Sequence, residues 1–225
     1  MGQHFFDISF TPSVMAEQER HGSRNGYASW SASGGPALND ASFGPEEASF
    51  IAARDGFYIA TVSETGWPYV QFRGGPAGFV RVLDGTMLAW ADFRGNRQYV
   101  TTGNAAGDRR IALFFMDYRS QRRLKVFGYL TVRELGGPDV PTSGLAVPGY
   151  RARVDHEFRV QAAGYDWNCP QHITQRFTAA EVEQAVAPLR HRIDLLQQRL
   201  AKAGLHQLGP EELFSSGGEA RERSD

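Results

Sequence analysis

Cys169, the only cysteine of the chain, stands three residues before His172 in "DWNCPQHIT", residues 166–174. A thiol beside an imidazole suits a nucleophile with its base, if the thiol pKa is depressed, or part of a metal site. Two ligands cannot hold zinc alone, and nothing nearby supplies the others. The bland alternative is a structural histidine and a space-filling cysteine. His172 therefore stands as a weak candidate proton donor, with no metal site expected.

Chemistry of another kind is carried by "YVQFRGGPAGF", residues 69–79, and "WADFRGNRQYV", residues 90–100. Gly74 and Gly75 end a strand without side chains, which either lets a ligand approach the backbone or marks a bulge. The second run places Gly95 and Asn96 at an expected helix start, with Arg97 next. Unpaired N–H groups and partial positive charge at a helix N-terminus, with arginines beside them, make an anion site. An ordinary capped loop is the alternative.

Charge supports an anionic ligand only locally. Between residues 73 and 125, ten Arg or Lys face four Asp, although the net charge of the chain is -1. Arginine outnumbers lysine 22 to 2, so a single arginine is weak evidence for planar anion recognition. One cysteine excludes an intrachain disulfide, and no apolar run reaches the roughly 18 to 20 residues of a membrane span. The N-terminal stretch lacks the pattern of a signal peptide, so a cytoplasmic protein is expected.

The elements that position these residues are mainly β. Six short segments between residues 57 and 134, "FYIATVSE", "PYVQFRG", "GFVRVLD", "TMLAWAD", "RIALFFMD" and "RLKVFGYLTVRE", alternate and are separated by turn residues. This spacing predicts an antiparallel barrel. Asp84-Gly85 is read as a two-residue hairpin turn with positive φ, and "SETGWP" as another reversal. "IALFFM" reads as a strand buried on both faces, "RGNRQYVTTGN" as a short helix, and "HEFRVQAAGYDW" as a further strand. Helices are expected after Thr11 and after Gly44, each with Pro at its first position. Val182, Val186, Leu189, Ile193, Leu196 and Leu200 form one apolar stripe. Pro188 should split that helix or kink it.

Five pieces in order, "PYVQFRGG", "DFRGNRQY", "ALFFMDY", "RRLKVFG" and "DWNCPQHI", resemble the FMN-binding split-barrel superfamily of pyridoxamine 5′-phosphate oxidase, in its flavin-nucleotide-binding branch. The resemblance covers residues 45 to 177. It implies a mainly β fold with flanking helices, built on an antiparallel six-stranded split β-barrel with helical N- and C-terminal additions. It also implies a homodimer with FMN at the subunit interface. By position, Gln71, Arg73, Gly74 and Gly75 would line the isoalloxazine ring, and Trp90 and Ala91 match a Tyr-Thr pair. Asn96 and Arg97 match the phosphate clamp, with Arg94 or Gln98 as substitutes where Asn replaces arginine. Arg123, supplied by the partner subunit, falls where the oxidases contact the flavin through glutamine. Trp167, with Asn168 and Gln171, would form a wall over the flavin.

Departures from the pattern point away from pyridoxamine phosphate as substrate. Pro76 replaces a lysine, and the late Arg-x-His motif is missing. The resemblance thus implies a flavin-dependent oxidoreductase of unspecified substrate, with a non-catalytic flavin or nucleotide sensor as alternative. The expected organisation is an N-terminal helix and connection over 1–44 and the barrel over 45–177. C-terminal helices packed on the barrel or dimer follow over 178–214, then a disordered tail over 215–225.

Overall fold

The computed structural model describes residues 5–27, 42–135, 144–168 and 170–204, with the side chain of Asn168 excepted. Cys169 and the tail over 215–225 lie outside the described residues. The chain falls into two compact units, Met1–Gln175 and Arg176–Asp225. Among the described residues no helix is long and apolar enough to cross a membrane.

The first unit opens with α1 (Phe5–Ser9), α2 (Pro12–Arg20) and α3 (Pro45–Ala52). Thr11 caps α2 by accepting a hydrogen bond from Val14 N at 3.4 Å, and Pro12 stands at the first turn where a missing N–H costs nothing. Seven strands follow: β1 (Gly56–Val62), β2 (Pro68–Gly74), β3 (Val80–Asp84), β4 (Met87–Phe93), β5 (Arg110–Asp117), β6 (Arg122–Glu134) and β7 (Val154–Asn168), with α4 (Val100–Gly107) between β4 and β5. They form one sheet in the order β2-β1-β5-β6-β7-β4-β3, every pair antiparallel. The expected six-stranded barrel is therefore corrected. The segment following the Gly and Pro-rich loop adds a seventh strand, and no ladder joins β2 to β3, so the sheet is not closed.

Alternation decides what the curled sheet encloses. Along β1, Phe57, Ile59 and Thr61 are buried, while Tyr58 and Val62 on the opposite face are exposed. Phe57, Phe115, Phe158 and Trp90 are at most 1% exposed and pack edge-on or tilted, as in the Phe57–Trp90 pair at 5.0 Å and 77°. Burying each such side chain stabilises the fold by about 1.5–3 kcal/mol. β5 is not buried on both faces as its apolar run suggests. Ile111, Leu113 and Phe115 are buried, but Ala112, Phe114 and Met116 are only half-buried, because no second layer of the described residues of this unit covers that face.

Two turns differ in their accuracy of reading. Gly66 has φ +82, and Gly66 N donates to Ser63 O, so the first hairpin reverses at the glycine as expected. At the second, neither Asp84 nor Gly85 has positive φ. Asp84 Oδ1 instead accepts from Thr86 N at 2.9 Å and Thr86 Oγ1 at 3.0 Å, and a bulge falls before Asp84. The aspartate side chain makes the turn, in place of left-handed backbone.

The second unit contains α5 (Ala179–Lys202). Thr178 and Glu181 form a reciprocal capping box: Glu181 N donates to Thr178 Oγ1 at 3.2 Å, and Thr178 N to the Glu181 carboxylate at 2.8 Å. Pro188 lies inside this single helix and does not divide it. Regular turns on both sides hold the one position that lacks an N–H.

Candidate functional site

β2 presents Tyr69, Gln71 and Arg73 to the same side, two residues apart, opposite Thr61, Ile59 and Phe57 of β1. That side is the interior. β4 contributes Asp92 from the face that also carries Trp90, and β7 contributes His156 opposite Asp92. One end of the apolar interior is thus polar. Arg73 Nη1 donates to Asp92 Oδ1, and His156 Nδ1 lies 3.1 Å from Asp92 Oδ2. The guanidinium of Arg73 also sits over the Phe158 ring, 5.3 Å from its centroid, while its Nε is buried and has no partner among the described residues.

Outside this cluster lies a pocket of about 180 Å³, formed by Tyr69, Gln71, Arg73 and Asp92, by the loop Phe93–Tyr99, by Val100 and Thr102 of α4, and by Asp155. The loop is held by its own polar groups. Gln98 N donates to Asn96 Oδ1 at 3.1 Å, and Arg97 and Tyr99 adopt left-handed φ values of 61° and 53°. Two such residues within three positions are uncommon outside glycine and cluster at functional loops. They also delay the helix: α4 begins at Val100, not at the Gly95-Asn96 start expected from sequence. Tyr99 gives the first turn no side-chain hydrogen bond. Its N–H groups, at the positive end of the helix, thus lack the side-chain cap that commonly satisfies one of them. Thr101 Oγ1 donates to Gln71 Oε1 at 2.9 Å, and Asn104 Nδ2 to Thr61 Oγ1 at 2.9 Å, which fastens α4 to β1 and β2.

The structure brings together Gln71, Arg73, Asn96, Arg97 and Gln98 in this pocket. Arg97 is exposed and has no acidic partner among the described residues. Arg94, offered as a substitute phosphate ligand, is engaged elsewhere. Its Nε and Nη2 donate to Asp155 Oδ1 at 2.8 and 2.7 Å, and this pairing holds the Asp155 carboxyl below the usual carboxylate range. Trp90 and Ala91 are each 1% exposed and sit in the core, with Trp90 Nε1 lacking a partner among the described residues. At Gly75 a Cβ would lie 2.8 Å from the rings of Phe79 and Phe93, and at Gly74 2.9 Å from Phe72. The close approach that the glycines permit is made by the protein's own aromatic rings.

Trp167 and Arg123 lie at another place on the molecule. Trp167 Nε1 donates to Glu47 Oε1 at 2.8 Å, its ring packs edge-on against Phe50, and the Arg122 guanidinium covers it at 4.2 Å. It borders a second pocket of about 600 Å³ formed with Phe5, Phe10, Tyr27 and Phe127. Arg123 pairs across the ladder with Asn168, and its Nε is buried without a partner among the described residues. Neighbouring cations are matched, Arg122 with Glu46 and Lys125 with Asp166. Gln171 and His172 are exposed on the turn after β7, with His172 at φ 63°, and neither lines a described pocket.

Sequence reasoning missed Tyr69, Asp92, Tyr99, Asp155 and His156. Two had a signal: Tyr69 shares the period-two face of Gln71 and Arg73, and Asp92 is an acid inside an apolar strand, which demands a partner. Asp155 had none, since it meets Arg94 only through the ladder of β4 with β7.

No family model matches the chain. No curated protein matches it. Among solved structures it is similar to an FMN-binding protein from Syntrophomonas wolfei, at 10% identity and TM-score 0.41, over 54% of this chain and 83% of that one. It is similar also to a pyridoxamine 5′-phosphate oxidase-related, FMN-binding protein from Nostoc punctiforme, at 12% identity and TM-score 0.36, over 53% of this chain and 75% of that one. An F420 reductase is similar at 17% identity and TM-score 0.36, over 55% of this chain and 98% of that one.

Proposed function

We propose that this chain is a cytoplasmic FMN-binding protein, acting as a homodimer in flavin-dependent oxidation and reduction of a substrate other than pyridoxamine phosphate. The observation that carries the reading is the pocket at the start of α4. A helix N-terminus without a side-chain cap converges there on a space for an anion with Arg97, which has no acidic partner among the described residues, and Arg73, whose Nε has no partner among them. These residues fit a flavin phosphate: Arg97 and the first-turn N–H groups of α4 would hold it, and Gln71 and Arg73 would face the remainder of the molecule. When bound, FMN supplies hydride or electron transfer, while the protein supplies anchoring and electrostatic tuning.

Size supports a composite site. About 180 Å³ is below the roughly 300–1,000 Å³ of a small-molecule site, so the pocket takes one end of a ligand and leaves the rest to another surface. Tyr58, Val62, Val70 and Phe72 form an exposed apolar patch on the outer face of β1 and β2, and patches of this kind mark contact surfaces. Arg123 lies half-buried on the outer face of β6, and its guanidinium would reach the partner's site from there.

One observation favours the sensor reading. Asp92 and Asp155, the carboxylates that line the pocket, are each engaged by an arginine, which suits binding without proton transfer. The test is the visible spectrum and mass of the small molecule that copurifies, followed by anaerobic reduction and reoxidation. FMN with repeated cycling supports the oxidoreductase, and FMN without cycling the sensor. A deazaflavin of the F420 type, or no uptake of added FMN, refutes the assignment.

A further inference from the structure

No residue of α5 is among those that form the two described pockets. Val182, Leu189, Ile193, Leu196 and Leu200 are 41–61% exposed, no residue of α5 is buried, and the described residues of its unit contain no other helix or strand. Spacings of 4, 3, 4, 3 and 4 from Val182 to Leu200 place Val186, Ile193 and Leu200 at one seam position of a seven-residue repeat and Val182, Leu189 and Leu196 at the other.

We propose that α5 pairs with α5 of a second copy of this chain as a parallel two-stranded coiled coil. The seam chemistry points to this occupant: β-branched Val186 and Ile193 at the first position, with Leu189 and Leu196 at the second, is the combination that in parallel coils favours two strands over three or four. Charge selects the same orientation. In a parallel pair Arg192 faces the partner's Gln197, and no like charges meet across the seam. The fully overlapped antiparallel pair would set Arg192 against the partner's Arg192, which is repulsive. Within each helix Arg190 Nη1 donates to Glu183 at 2.6 and 2.7 Å, one repeat apart, so the charges flanking that side of the seam are already matched. Pro188 falls on the side away from the seam, where its ring does not obstruct a partner. The pairing does not depend on the flavin reading.

Disulfide trapping in the full-length chain tests it. In a Cys169→Ser background, Leu189→Cys and Leu196→Cys occupy the second seam position, and Gln198→Cys the outer face. In a glutathione redox buffer, the 189 and 196 variants should form disulfide-linked dimers about tenfold or more faster than the 198 variant, because a paired seam holds like positions at high effective concentration. Equal rates at all three positions would overturn the proposal, as expected if the stripe is covered by another part of this chain or by a different protein. Trapping that requires mixing Leu189→Cys with Ile193→Cys chains would also overturn it, by showing antiparallel helices.

Discussion

Arg73 and Asp92 form a direct ion pair although their strands, β2 and β4, are separated in the sheet by β1, β5, β6 and β7. The sheet therefore curls until its first and sixth strands meet through side chains where no backbone ladder joins them. Side-chain exposures of 17% and 7% put this pair largely out of water.

Removing one partner should accordingly be costly. Asp92→Ala leaves the Arg73 charge unmatched beside its unpartnered Nε and removes the acceptor of His156, so a loss of about 3–5 kcal/mol is expected. Replacing both partners with apolar residues, Arg73→Met with Asp92→Leu, should recover much of it. Urea unfolding of the single and double variants measures the difference.

Arg97 bears on binding and little on stability, since it is exposed. Losing charge-assisted hydrogen bonds to a phosphate costs about 1.5–3 kcal/mol, so Arg97→Ala should weaken FMN binding by about ten- to a hundredfold. Riboflavin, which lacks the phosphate, should bind both proteins alike. Fluorescence titration with the two ligands separates anchoring from general damage to the site.

Asp155 gives a pH dependence of defined sign. The hydrogen bond from Arg94 lowers its pKa in the folded state, so its contribution is fully present above the ordinary aspartate value of about 3.9 and fades as pH falls through the lower folded value. Carbon-detected NMR titration should find the Asp155 carboxyl below that value. In Arg94→Ala it should move upward toward the ordinary value, so the share of the acid limb that Asp155 contributes should flatten while stability near neutral pH falls.

On the outer face of β2, Phe72 is 57% exposed and packs edge-on against Tyr58. Phe72→Asp should leave the monomer folded and abolish a homodimer built on this face, with flavin lost at the same time if the site is shared. Light scattering with in-line absorbance at the flavin band checks both. A variant that stays dimeric and yellow would remove this surface from the assembly.

Local order explains what the sequence disclosed. The strands were readable because alternating residues and turn signals lie within a few positions of one another, and the loop that lines the pocket beside α4 was readable because it is one continuous run. The pairing of Arg94 with Asp155 was not readable because the two are distant in sequence. Trp167 stands over Phe50 and Glu47 for the same reason: the contact belongs to the packing of α3 on β7 and has no mark in "DWNCPQHIT". The start of α4 was missed for a different cause, since left-handed backbone at Arg97 and Tyr99 is invisible where the residues are not glycine.

A sheet that curls without closing leaves β2 and β3 with neighbours on one side only. Their ladders should exchange hydrogen with solvent at every second amide, while β5, β6 and β7, flanked on both sides, protect nearly all of theirs. The Arg73–Asp92 contact fixes the curl without pairing those backbones, so both edges stay open to a further strand in the folded protein.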